Sequence, residues 1–332
     1  MRIALFACAL ALASSAAAAK EPPLPYANRP DVRAFVQDMV QKHGFVEREL
    51  DYIFSRTRRL DVALKAVATP ASARAWAEYR ANFVNERQIA GGVEFWRANH
   101  GVLARAAKEY GVPDEIIVAI IGIETFYGRH TGKWRVIDAL TTLAFDYPPR
   151  APFFRGELEN YLVMSRNRGN DVFELRGSWA GAIGIPQFMP GSYMKFAVDF
   201  DGDGRIDLSA NTADAIGSVA NFLKQHGWKP GETIFLDADV KGEAFRPYAD
   251  GQVLPRHTLE ELAKAGATAR TGVAAAGAKA ALIELETPGR ASEYRLGFDN
   301  FYVITRYNRS SFYASAVADL AAALRARYPG GK

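Results

Sequence analysis

The sequence predicts a mainly α fold with a small β-rich insertion. Three observations carry this. Apolar residues recur at helical spacing, three and four apart, from about residue 30 to residue 226. After Gly227 the segments "ETIFLDADV", "AALIELE", "EYRLGF" and "FYVITRY" have the β-branched and aromatic composition and partial alternation of strands. From Ser311 to Tyr328 the pattern is helical again.

The elements follow in order. Residues 1–19, "MRIALFACALALASSAAAA", place one Arg before a short apolar core and end in an A-x-A pattern at Ala17–Ala19. That is the layout of a cleaved signal peptide, and the apolar core is too short for a stable membrane span. The only cysteine, Cys8, lies inside it, with too few residues before it for a lipoprotein cleavage site, so lipid anchoring is not expected. Export and a cysteine-free mature chain together point to a soluble protein of a bacterial envelope, periplasmic in location. A Pro-rich lead-in then gives way at Pro30 and Asp31 to a helix with Phe35, Val36, Met39 and Val40 as its stripe and Gly44 at its end. A second helix is expected near 47–56, a long one over about 71–98, and another over 99–110 that stops at Gly111. Residues 20–110 thus form an N-terminal helical domain.

Pro113, Asp114 and Glu115 open the next helix with the usual first-turn chemistry. It is apolar on most faces, which implies a central, buried helix running toward Gly128. Helices near 134–145, 153–165 and 212–226 complete a core over 111–230. Residues 231–300 form the small β-rich domain, interrupted by an Ala/Gly-rich stretch near 265–280, and 301–332 return to the helical body. With 49% hydrophobic and 23% charged residues the chain is ordinary globular material. Net charge is +4, and no dense Lys/Arg run interleaves with aromatics, so nucleic acid is not an expected partner.

Three constellations carry chemistry. In "IIGIETFYG", residues 120–128, Glu124 stands alone among Ile116–Ile121, Ile123, Phe126 and Tyr127. Apolar surroundings disfavour an ionised carboxylate, and a general acid working near neutrality needs that upward shift. The plainer alternative is a Glu that reaches solvent or pairs with Arg129. In "GSWAGAIGIPQFMPGSY", residues 177–193, small residues let a ligand approach the backbone, and Gln187, Phe188 and Tyr193 offer amide and aromatic groups suited to sugars. The alternative is a Gly-rich loop wrapping the core. In "DFDGDGRID", residues 199–207, Asp199, Asp201 and Asp203 occupy positions 1, 3 and 5 of an EF-hand loop and Gly204 position 6, with the Arg205 carbonyl at 7 and Asp207 at 9. Position 12 is Ala210, and the next carboxylate is Asp214, so the loop is longer than the standard one and suits a structural Ca²⁺ better than a sensor. The alternative is a solvated acidic turn.

Together with "DAIGSVANFL" and "ITRYN", and in this order, these stretches resemble the lytic murein transglycosylase B family, of the glycoside hydrolase family 103 type. The resemblance implies a lysozyme-like helical catalytic core with an N-terminal helical domain and a small β domain. It implies cleavage of the β-1,4 bond between N-acetylmuramic acid and N-acetylglucosamine in peptidoglycan without water, leaving a 1,6-anhydromuramoyl end. By motif matching Glu124 is the sole catalytic acid and base, Ser178 and Gln187 contact substrate, and Tyr79, Asn221, Tyr307 and Tyr313 line the groove. The acidic loop matches at Asp199, Asp203 and, with one extra residue, Asp214. The chain departs from the family at Phe222, where a Tyr is frequent, and at Pro149, which leaves Arg150 without a basic neighbour. Expected partners are peptidoglycan glycan strands, with cell-wall synthesis proteins as candidates. Two other readings stay open: a muramidase-type hydrolase on the same scaffold, and a non-catalytic, Ca²⁺-dependent peptidoglycan-binding protein.

Overall fold

The computed structural model describes residues 24–68, 75–272, 274 and 277–328. The signal-peptide segment, Cys8 and part of the Ala/Gly-rich stretch lie outside them. The chain divides after Arg56 into two compact units.

In the first unit, α1 (Pro30–His43) ends at Gly44, whose φ of 65° gives the left-handed cap that Gly adopts without steric cost. Helix α2 (Glu47–Arg56) follows, and Phe35 meets Phe54 edge-on at 6.1 Å over a core that includes Met39 and Leu50.

The second unit begins with α3 (Asp61–Ala68), an element the sequence reading lacked. The single long helix expected over 71–98 is two helices, α4 (Trp76–Phe83) and α5 (Glu86–Ala98). Asn85 separates them because its side chain caps α5, accepting from the Gln88 N–H at 3.0 Å, although apolar periodicity runs through the break. Next come α6 (His100–Tyr110), α7 (Asp114–Thr125), α8 (Val136–Asp146), α9 (Ala151–Arg168), α10 (Pro190–Phe196) and α11 (Thr212–Gln225). A two-residue ribbon, β1 (Trp134–Arg135) against β2 (Arg176–Gly177), ties α8 to the Gly-rich loop.

Helix α7 is the hub. Every residue from Ile116 to Gly122 is buried, and α5, α6, α11 and α14 (Ser311–Arg327) pack around it. A helix apolar on nearly all faces has no water-facing side, so surrounding it with helices is the arrangement that satisfies its composition.

The insertion is a five-stranded antiparallel sheet of order β4-β6-β7-β3-β5, with β3 (Phe235–Val240), β4 (His257–Thr258), β5 (Ala267–Ala269), β6 (Lys279–Leu285) and β7 (Glu293–Gly297). Helix α12 (Leu259–Lys264) buries Leu262 against the sheet, on a small core with Ala238, Phe245, Leu282 and Leu296. "FYVITRY" is not a strand. It forms α13 (Asp299–Tyr307), which opens on an acidic first turn and buries Phe301, Val303, Ile304 and Thr305. Its β-branched and aromatic composition yields to tertiary packing, which readily overrides so weak a preference.

Candidate active site

Helix α7 delivers Glu124 one residue before its C-terminus. The chain then turns through three successive left-handed residues, Phe126 (φ 51°), Tyr127 (φ 61°) and Gly128 (φ 84°). For a non-Gly residue this conformation costs about 1–2 kcal/mol, and it persists only where its surroundings impose it. Here they do. Phe126 N–H donates to the Gly122 carbonyl at 2.9 Å, and the Tyr127 hydroxyl donates to the Gln88 carbonyl at 2.8 Å. Gly122 makes room for that ring, since a Cβ on it would meet Tyr127 Cζ at 2.6 Å. Thr125 joins the turn to the Gly-rich loop, its hydroxyl donating to the Ile185 carbonyl at 2.8 Å while accepting from Gly128 N–H at 2.9 Å.

Glu124 as a residue is half-buried, and its carboxyl group accepts a hydrogen bond from the Tyr313 hydroxyl at 2.6 Å. Burial pushes Glu124 up to about 7, with the Tyr313 bond pulling in the opposite direction. Among the described residues no neighbouring carboxylate contributes to the shift. Arg129, the alternative partner, instead pairs with Glu94 at 3.2 Å and stands 5.1 Å from the Phe126 ring centre.

Tyr313 is only 1% exposed, so it sits beneath the carboxylate rather than on an open wall. Tyr307 stacks beside it, centroids 6.3 Å apart and planes 11° apart, and donates to the Pro186 carbonyl at 2.5 Å. Burial first, and then the charge of Glu124, hold both phenols well above the usual range, so both stay protonated donors. Tyr79 belongs to a neighbouring aromatic group with Trp76, Phe83 and Phe312, 5.7 Å from the last, and its hydroxyl acts electrostatically on Tyr313. Phe222 packs 4.8 Å from Tyr307, so the position that lacks a hydroxyl supplies a flat apolar face.

Ser178 and Gln187 come together on a different wall. The Ser178 hydroxyl accepts from Ala182 N–H at 3.0 Å and fixes the loop, and Gly184 is required there because a Cβ would strike the Leu208 carbonyl at 2.2 Å. Gln187, at φ 52°, donates its amide to the Gly184 and Thr131 carbonyls at 2.8 and 3.1 Å. Both residues line a groove of about 480 Å³ with His130, Lys133, Trp134 and Trp179. The two tryptophans are half-buried and add flat aromatic surface to the groove, and neither is among the residues named by motif matching. Trp179 lies within "GSWAGAIGIPQFMPGSY", and "GKW" at the start of the β1 ribbon is the local signal for Trp134. Asn221 is not brought to Glu124 by the contacts of its side chain among the described residues. Its amide donates to the Phe196 carbonyl at 2.9 Å and its oxygen accepts from Gln225.

In the acidic loop the oxygens of Asp199, Asp201 and Asp203 lie within 4.8 Å of one another. Gly202 (φ 81°) and Gly204 (φ 85°) make the turn, with open space around both. Three hard oxygen donors at alternate positions fit a Ca²⁺ ion, which would also relieve their mutual repulsion. Asp207 and Asp214 fall outside that cluster. Asp207 accepts from Ser209 and Ala210 N–H, while buried Asp214 accepts from Phe200 and Asp207 N–H, both at 2.7 Å, and clasps the loop ends together. Arg205 follows Gly204 with its N–H on Asp203 at 2.8 Å.

Residues 27–322 match the family described as Transglycosylase SLT domain. The chain is 43% identical over 309 residues to membrane-bound lytic murein transglycosylase B of Escherichia coli (strain K12), covering 90% of this chain and 84% of that protein. Among solved structures, catenated lytic transglycosylase SltB1 of Pseudomonas aeruginosa superposes with a TM-score of 0.85 at 45% identity, covering 92% of this chain and all of the other. The Escherichia coli lytic transglycosylase Slt35 in complex with calcium gives 0.81 at 43% identity, covering 91% and 95%. Matched by the family over most of its length and by relatives along nine-tenths of it, the chain belongs to the transglycosylase SLT domain family.

Proposed function

We propose that this protein is a lytic transglycosylase that cleaves the β-1,4 bond between N-acetylmuramic acid and N-acetylglucosamine in peptidoglycan. The observation that carries the reading is one acid, Glu124, bonded to Tyr313 and raised to about 7 by burial, with no second carboxylate among the described residues contributing to its shift. Glycoside hydrolases of the usual kind place two carboxyl groups about 5–9.5 Å apart, one serving as nucleophile or as base for water. With a single carboxyl group the nucleophile comes from the substrate. Protonated Glu124 donates its proton to the glycosidic oxygen as the C1–O4 bond breaks. The resulting carboxylate then takes the proton of the muramoyl O6 hydroxyl as O6 bonds to C1. Glu124 ends protonated as it began, no water is consumed, and the product is a 1,6-anhydromuramoyl end. The Tyr313 hydroxyl bond orients the carboxyl group and is strongest in the ionised, mid-reaction state.

Ser178 and Gln187, with Trp134 and Trp179, make the sugar groove; Tyr79 and Tyr307 serve as further walls. Ca²⁺ would be held by Asp199, Asp201 and Asp203, with the Arg205 carbonyl and Asp207 beside them and Asp214 closing the loop. Bound there it supplies charge neutralisation to the loop and takes no part in bond cleavage. The site of action is the periplasm, reached by the signal peptide. Among the described residues no helix is long and apolar enough to cross a membrane.

The test is Glu124→Gln, which is isosteric and cannot donate the proton. Lysis of purified sacculi should vanish while sacculus binding persists. Equal clearing by wild type and variant would overturn the assignment of Glu124, and wild-type binding without lysis would favour the non-catalytic alternative.

A further inference from the structure

The five-stranded insertion supplies no residue to bond cleavage, yet it grips two helices of the site, α4 with Tyr79 and α14 with Tyr313. Its hold on α4 is a cap. Helix α4 begins at Trp76, and the residue before it, Ala75, has no side-chain oxygen to offer the first N–H groups. The residues after β6 serve instead. Trp76 N–H donates to the Glu286 carbonyl at 2.8 Å, and Ala77 N–H donates to the Thr287 hydroxyl at 3.2 Å. One turn further along α4, Tyr79 stacks on Trp76, with centroids 6.4 Å apart and planes 22° apart.

The hold on α14 is an ion pair. Phe312, Ser315 and Asp319 follow one another at spacings of three and four, so they share one face of that helix. Phe312 meets Trp76 edge-on at 5.4 Å. Arg295, buried on β7, donates to the Ser315 carbonyl at 3.3 Å and to Asp319 at 2.8 Å. Arg80 of α4 donates to the other Asp319 oxygen at 2.6 Å, so one carboxylate joins α4, α14 and the sheet. The Arg295 guanidinium is flanked by rings, 4.1 Å from the Phe235 centre and 5.5 Å from that of Trp76. Tyr313 adjoins Phe312 and points about 100° further round the helix. There it makes its bond to Glu124.

A buried ion pair is a poor source of stability, because desolvation cancels most of its attraction. What Arg295 contributes is direction. Its rigid, planar fork matches Asp319 and the Ser315 carbonyl in one seating of α14. Tyr313 lies two residues from Ser315, so a change in that seating moves the phenol relative to the acid.

We propose that the β insertion is a positioning element for catalysis, in which Arg295, through Asp319 and Ser315, places the Tyr313 hydroxyl against Glu124. Arg295 touches no reacting atom and is a positioning residue. The proposal rests on the reading of Glu124 as the acid and goes beyond it by giving the insertion a part in turnover.

The experiment is a double-mutant cycle on soluble glycan strands, with wild type, Arg295→Met, Tyr313→Phe and the double variant assayed well below their melting temperatures. Arg295→Met keeps an apolar stem and leaves Asp319 paired with Arg80. It should lower kcat about 10- to 100-fold, the cost of a misplaced catalytic group, with KM unchanged. The double variant should be no slower than Tyr313→Phe alone, because both substitutions break one link. Arg295→Lys keeps the charge beside Asp319 and should restore part of the rate. Should Arg295→Met not fold, Arg295→Lys carries the same cycle, with a smaller loss that disappears in the Tyr313→Phe background. A lower melting temperature with kcat unchanged, or losses that multiply in the double variant, would overturn the proposal. The rates count bonds broken whatever the ends produced. Reducing ends would therefore remove the transglycosylase reading and leave the coupling standing.

Discussion

Glu124 holds its proton because burial among apolar residues disfavours its charged form, while Tyr313 moderates the shift by favouring the anion. Two outcomes follow at this scale. A general acid must start protonated, so kcat/KM should fall as pH rises through about 7. Tyr313→Phe removes the bond that lowers the value, so that limb should move to higher pH, while turnover drops by up to about 100-fold for a misplaced acid. A pH–rate profile of both proteins checks this. The same shift has a stability sign. The folded state binds the Glu124 proton more tightly than the unfolded chain, whose carboxyl has its ordinary value near 4.5. Stability from this group is therefore greatest below that value and declines as pH rises toward 7. Glu124→Gln should stabilise the fold by up to about 3 kcal/mol above pH 7, with the gain vanishing near pH 4. Melting temperatures across pH measure it, and a gain independent of pH would remove desolvation as the cause.

At the scale of elements, the left-handed turn after α7 and the seating of α14 decide where the acid points. Gly122→Ala would push a methyl group into the Tyr127 ring, an overpacking worth about 1–3 kcal/mol, and should lower activity further than stability alone explains. Helix α14 is anchored to the sheet by Asp319, whose two oxygens accept from Arg295 at 2.8 Å and Arg80 at 2.6 Å. Arg295 is 5% exposed and lies 4.1 Å from the Phe235 ring centre. Asp319→Ala would leave that buried cation short of its main partner, and denaturant unfolding should show a loss of about 3–5 kcal/mol. Much at this scale was legible. The Gly44 and Gly111 stops, the Pro113–Glu115 start and the buried character of α7 are local signals, and each element is where those residues imply. The Asn85 break and the helical state of "FYVITRY" were not, because a cap inside a continuous periodicity, and packing that overrides propensity, are settled by tertiary contacts.

For the molecule as a whole, the acidic loop and the site are separate consequences of one chain order. A cation bound only by the folded state stabilises it, so exhaustive chelation should lower the melting temperature, and Ca²⁺ should restore it. An unchanged melting curve after verified metal removal would rule out a structural ion at Asp199, Asp201 and Asp203. The acid, the Gly-rich loop and the acidic loop could each be read from a short stretch, since each is a local pattern. The pairing of Tyr313 with Glu124, 189 residues apart, and the facing of Trp134 and Trp179 into one groove are products of the fold and have no local signature. The central claim is that one carboxyl group, assisted by the substrate's own hydroxyl, does the work of two. Mass spectrometry of muropeptides released from sacculi tests it most directly. Muramoyl ends one water lighter than the reducing sugar are expected, and none from Glu124→Gln; reducing ends as the sole product would contradict the single-carboxyl mechanism.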